Sequence, residues 1–268
     1  MKTRFKSNTL ALVALALTSI AFTACEDDED ETLIETRIVE QATPRYQATI
    51  TMKEKVNGAD LTMNTTNKPY SNLRGQTFNV SRLRYLISDV TFHKEDGTAF
   101  TINDYHFVDA TDPAHDTYMP TAKVPAGTYN KLSFTFGFDM EDNISFAYSD
   151  LNLANWEWPA MLGGGYHFMQ LEGEYDSSGT SVFFAAHMGT ARNNTVTPTT
   201  FEANHFEAVI DTTITVAADF SFALVMNIEQ WFEGPYEWDF NVYNASLMPV
   251  YDAQRKLNLN GPSVFTYE

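Results

Sequence analysis

Two imidazoles in unusual company define the chemistry open to this chain. Residues 156–173 read Trp-Glu-Trp-Pro-Ala-Met-Leu-Gly-Gly-Gly-Tyr-His-Phe-Met-Gln-Leu-Glu-Gly, gathering Trp156, Trp158, Met161, His167 and Met169 within 18 positions. A second block, Phe183-Phe184-Ala185-Ala186-His187-Met188-Gly189, follows after a short link. Imidazole, thioether and indole suit a soft monovalent metal better than a hard, oxygen-seeking one. His167, His187, Trp158 and Met169 are therefore the candidate metal set. Gly163, Gly164 and Gly165 in succession cost backbone entropy that a solvated loop has no need of, so they predict a close approach to that backbone.

Each of these residues has a plainer use. A lone imidazole among apolar side chains is usually a hydrogen-bonded structural residue. Methionines such as Met161 and Met169 fill irregular core gaps, and Trp156 and Trp158 would by default anchor the end of a sandwich. Pairing favours the site reading. The link Asp176-Ser177-Ser178-Gly179-Thr180 makes the two blocks a hairpin, and pairing about Ser177–Gly179 sets His167 nearly opposite His187. By strand alternation, His167 shares a face with Met169 and Leu171, and that face is predicted to point inward. His93, His106, His115 and His205 lack such company and read as surface or structural residues.

Other chemistries lack their residues. The sequence holds no P-loop, dinucleotide fingerprint, G-x-S-x-G or H-E-x-x-H motif. Asp139, Glu141, Asp142 and Asn143 could hold a calcium ion, but their spacing is not that of an EF-hand, and an acidic loop is the simpler reading. Nothing singles out a carboxylate pair for glycoside hydrolysis. The chain is read as non-catalytic.

The elements that must position the site are β-strands. Residues 47–53, 77–81 and 86–92 alternate in polarity, and Asp96-Gly97 marks a hairpin turn between strands. Further strands are predicted over 105–110, 129–138, 166–175, 181–187, 205–211, 212–216, 220–228 and 246–251. Short helical turns are predicted over 81–85 and 147–156. Residues 192–200 and 229–239 read as loops, the second carrying Trp231, Phe232, Tyr236 and Trp238. About ten short strands predict an all-β, antiparallel β-sandwich of the immunoglobulin-like or Greek-key type, with loop insertions.

The N-terminus reads as a targeting segment. Lys2, Arg4 and Lys6 precede an apolar stretch, residues 10–22, that is too short to span a bilayer. Phe22-Thr23-Ala24-Cys25 resembles the lipobox of bacterial lipoproteins, whose cysteine is acylated, and Cys25 is the chain's only cysteine. Six acidic residues, 26–31, then read as an extended tether. The predicted division is signal peptide 1–24, acidic tether 25–42 from acylated Cys25, and a single domain over 43–268. The run also resembles an export signal for the outer leaflet of the outer membrane, so the expected place is that membrane, on its periplasmic face or at the cell surface. With 17 basic and 35 acidic residues the charge is −18, and loss of three basic residues with the signal makes it −21. Such a field disfavours nucleic acid and tolerates cations.

These blocks have a family likeness. Phe78-Asn79-Val80-Ser81-Arg82-Leu83-Arg84-Tyr85-Leu86-Ile87-Ser88-Asp89-Val90 resembles the opening motif of the MbnP-like copper-binding proteins. Gly137-Phe138-Asp139 with Asn143, the run from Trp158-Pro159 to Gly173, and Ala186-His187-Met188-Gly189 resemble the blocks that follow, in order. The resemblance implies a β-sandwich concerned with copper handling. It further implies Cu(I) held by histidines and by a tryptophan oxidised to kynurenine by a dihaem partner. By motif, Trp158, His167 and His187 are the positions carried over. Relatives often hold tryptophans immediately before Gly-Tyr, where this chain has Ala160 and Leu162. The reading of a different class is a surface glycan-binding or interaction sandwich without metal, in which exposed rings at Trp231, Phe232, Tyr236 and Trp238 stack on sugars.

Overall fold

The computed structural model describes residues 42–268, and the expectations for the signal segment, Cys25 and most of the tether lie outside the described residues. Residues Ala42–Glu268 form one compact unit. The strands that matter to the site are β1 (Ala48–Val56), β2 (Arg82–His93), β3 (Ala99–Asp109), β4 (Gly127–Phe136), β5 (Met169–Ser177), β6 (Thr180–Met188), β7 (Phe206–Val216), β8 (Phe220–Asn227) and β9 (Phe265–Tyr267). Two helices, α1 (Ser149–Leu153) and α2 (Tyr251–Asn260), complete the set. No helix among the described residues is long and apolar enough to cross a membrane.

The fold is an all-β sandwich. Its larger sheet is antiparallel and is organised about β2, which pairs with β3 along one edge. The other edge is shared: β5 pairs with Arg82–Tyr85, and β4 with the half that runs from Ile87 to His93. The handover falls at Leu86, whose carbonyl accepts from the Gly137 amide while its own amide donates to the Phe168 carbonyl. Just beyond it Asp89 takes a φ of 55°, at an irregularity in the pairing with β3. Residues 138–168 therefore leave and rejoin the sheet at one point of β2, as an excursion laid over its outer face.

The smaller, five-stranded sheet includes β9, β8 and β1, and within it the pair β8 and β1 runs parallel. The two sheets meet through aromatic side chains, with Phe134 against Phe265 and Phe92 against Phe220 and Phe222. β2 shows why both of its faces matter. Tyr85, Leu86, Ile87 and Ser88 are successively buried, which requires cover on both sides of the strand.

Several local expectations change. Over 81–85, where the sequence predicts a helical turn, strand begins at Arg82, because Leu83 and Tyr85 alternate into the core. Residues 246–251 are not a strand, and the helix that follows, α2, has no clear apolar stripe in the sequence. Trp231, Phe232 and Trp238 are fully buried rather than displayed on a loop, with Phe232 packed against Phe78 and Trp231 against Phe136. Only Tyr236 of that group is exposed, so these four residues do not form the ring platform expected of them.

Candidate metal centre

The excursion brings its own histidine back to the sheet. Glu157 bridges Tyr166, and the Trp158 amide donates to the Gly165 carbonyl, closing a tight loop over residues 158–165. The glycine run makes that loop possible. Gly163, Gly164 and Gly165 have φ values of 113°, 69° and 83°, in the region that L side chains rarely adopt. What approaches them is the chain itself: a Cβ on Gly165 would sit 2.2 Å from Asn143 Oδ1. The Asn143 carboxamide accepts from the Tyr166 amide and donates to Thr190, and Ser145 accepts from the Gly165 amide. The close approach predicted from the glycines is thus internal bracing and not a rim around a ligand.

Beyond Tyr166 the chain is not yet a strand, since β5 begins at Met169. Alternation therefore does not extend back to His167. In register, His187 lies opposite Gln170, not His167, and Met169 lies opposite Met188. His187, Gln170 and Glu172 share the outer face, whereas Met169 and Leu171 turn into the core. His167 nevertheless reaches the outer face through the bend. The two imidazole rings stand 5.4 Å apart between centroids, at 77°.

Met169 must be corrected. It belongs to the buried core cluster, packed on the face of β5 away from His187, so its thioether is not part of this site. Trp158 is brought in: its ring lies edge-on to His167 at 4.9 Å, and its indole N–H donates to the Leu162 carbonyl. Gly189 lets that indole lie flat on the backbone, since a Cβ there would come within 2.5 Å of the ring. Trp156, which the sequence offers only as an anchor, lies slightly farther from His167, at 5.3 Å. Its indole nitrogen is sealed from solvent without a partner.

The hydrogen bonds leave one nitrogen of each ring for a ligand. His167 Nδ1 lies 3.1 Å from the Trp156 carbonyl, which makes it the N–H tautomer and frees Nε2. His187 Nε2 meets Glu172 Oε1 at 2.8 Å, leaving Nδ1. Neither free nitrogen is among the sealed, unpartnered polar atoms of the described residues. Burial, helped by the nearby His187, lowers the His167 pKa to about 4, and the ring is neutral at pH 7. Bonding to His187 is the main cause that holds the Glu172 carboxyl below its usual value, and the Arg82 guanidinium contributes. A carboxylate on the far nitrogen of a ligating imidazole fixes its orientation and raises its basicity.

The remaining supports come from distant segments. Gln254 of α2 donates to the His187 carbonyl and to the Leu247 carbonyl, while its oxygen accepts from the Gly189 amide. Arg84 stacks on Trp156 and Phe107 and pairs with Asp109 at 3.1 Å. No spacing in the sequence announces Gln254 or Arg84 as part of the site. Elsewhere, Asp89, Asp139 and Asp142 converge, with their oxygens within 4.8 Å of one another. Asn143 does not join them, because its carboxamide is occupied by Tyr166 and Thr190.

A family model described as MbnP matches residues 45–249. Among solved structures, MbnP from Methylosinus trichosporium is similar, with 14% identity, 70% of this chain and 78% of that chain covered, and a TM-score of 0.48. No curated protein matches the chain.

Proposed function

Because this chain belongs to the MbnP family, we propose that it is an exported, lipid-anchored protein that binds copper through His167 and His187 without catalytic turnover. Membership of the family supports the coarser part, a copper-associated and non-catalytic role. The observation that carries the finer part is the meeting of two imidazoles, 5.4 Å apart, in a niche walled by Trp156 and Trp158.

The residues fit the ion. One imidazole is held neutral by burial, so copper does not compete with a proton there at neutral pH. Each ring is oriented by a bond to its other nitrogen, from a backbone carbonyl in one case and a carboxylate in the other. Two neutral nitrogen donors with few further ligands favour Cu(I). The indoles limit the access of water to the pair. A dihaem partner, which the family likeness implies, would act on Trp158 or Trp156, and peptide masses from protein isolated from its own host would reveal the oxidised ring.

The test is a Cu(I) titration of the soluble domain against a competing chelator under reducing conditions. His167→Ala with His187→Ala should weaken binding by about a hundredfold or more. An unchanged affinity in the double variant would refute the assignment. Export and anchoring rest on Lys2 to Phe22 and on Cys25, with the outer membrane as the proposed destination.

A further inference from the structure

Gln170, like the Trp156 indole nitrogen, is a polar group at this site that the fold leaves without a partner. It pairs in register with His187 on β6 and with Arg84 on β2, which pairs in turn with Asp109 on β3. Directly opposed residues bring their Cβ atoms to about 5 Å, so the Gln170 side chain starts beside the His187 imidazole. The charged members of the row are engaged elsewhere. Arg84 is drawn away to Asp109, to the Ala154 carbonyl and to the Trp156 ring. Glu172 holds His187 and Arg82. Gln170 is buried, its carboxamide oxygen is sealed from solvent, and that oxygen accepts no hydrogen bond.

Exchanging the amide's oxygen and nitrogen does not remove the problem, because neither end has a partner among the described residues. A buried carboxamide with no partner opposes folding unless something else takes up the oxygen. An apolar residue of the same shape would serve the sheet better, and the ring beside it is one of the two proposed ligands.

We propose that Gln170 is the third donor of the centre, its amide oxygen joining the imidazoles of His167 and His187, and that this oxygen makes the site accept Cu(II) as well as Cu(I). The inference rests on the copper reading above. A neutral oxygen added to two nitrogens moves the donor set toward the mixed nitrogen and oxygen ligation that Cu(II) prefers, while adding little for Cu(I).

The experiment compares wild type, Gln170→Leu and Gln170→Glu in Cu(II) and Cu(I) titrations, with electron paramagnetic resonance on the Cu(II) forms. Gln170→Leu should lose Cu(II) affinity by about tenfold or more and change the spectrum, with Cu(I) affinity kept within about threefold. Gln170→Glu should bind Cu(II) at least as tightly as wild type. A second measurement needs no variant: wild-type protein labelled with nitrogen-15 in glutamine side-chain amides should show coupling of that nitrogen to bound Cu(II) in pulsed resonance. Cu(II) affinity unchanged in Gln170→Leu, or no such coupling, overturns the proposal and means the oxygen holds only a water. If Gln170→Leu behaves as expected while His167→Ala with His187→Ala keeps full affinity, the histidine assignment fails separately.

Discussion

At the scale of single residues, each of the two imidazoles has one ring nitrogen committed and the other left. The Trp156 carbonyl and the Glu172 carboxylate do the committing. The surroundings of His167 exclude a charge: burial lowers its pKa to about 4 in the folded protein, against about 6.5 in an unfolded chain. Between those values the unfolded chain takes up a proton that the folded protein refuses, so stability falls as pH drops through that window. Above pH 6.5 the ring contributes no pH dependence. In chelator-treated protein, urea unfolding at pH 7 and pH 4.5 should therefore show His167→Gln losing about 2 kcal/mol less than wild type. Equal losses in the two proteins would mean that the imidazole is not held neutral.

At the scale of elements, the decisive piece is the excursion between β4 and β5 rather than either strand. Its tight loop depends on glycines in left-handed conformations braced by Asn143, Ser145 and Thr190. Gly165→Ala would add both conformational strain and a clash with Asn143, and should cost about 3 kcal/mol, or roughly 10 °C in melting temperature. Gly179→Ala makes the comparison clean. Its φ is also positive, at 85°, but nothing lies within 4 Å, so strain alone should cost about 1 kcal/mol. Thermal melts of the two variants check this, and equal shifts would show that bracing by Asn143 contributes nothing. The same glycine run was legible in the sequence as a point of close approach. What approaches was not, because Asn143, Ser145 and Thr190 lie far from it along the chain.

At the scale of the whole molecule, an acidic chain carries its site over the outer face of a sandwich whose aromatic core ties the sheets together. Burial of Trp231, Phe232 and Trp238 in that core takes away the rings on which the sugar-binding reading is based. The charge of −18 suits attraction of a cation and opposes close contact with an anionic surface. Retention at a membrane would then rest on acylation of Cys25, the anchor proposed above. Expressed in a Gram-negative host, wild type should fractionate with the membranes and take up labelled fatty acid. Cys25→Ser should do neither, and labelling of that variant would rule out Cys25 as the anchor point.

The amino-acid sequence by itself determined the all-β class and most strand positions, since side-chain alternation is local. It also singled out His167, His187 and Trp158, because their types are rare and their blocks carry the family likeness. Only the tertiary structure decided which face each residue joined. One bend before Met169 takes His167 out of strand alternation, sends Met169 to the core, and sets His187 opposite Gln170 instead. Burial of Trp231 and the arrival of Gln254 and Trp156 at the site were settled in the same way. Register and face depend on hydrogen bonds between segments far apart in the chain, and local periodicity contains no record of them.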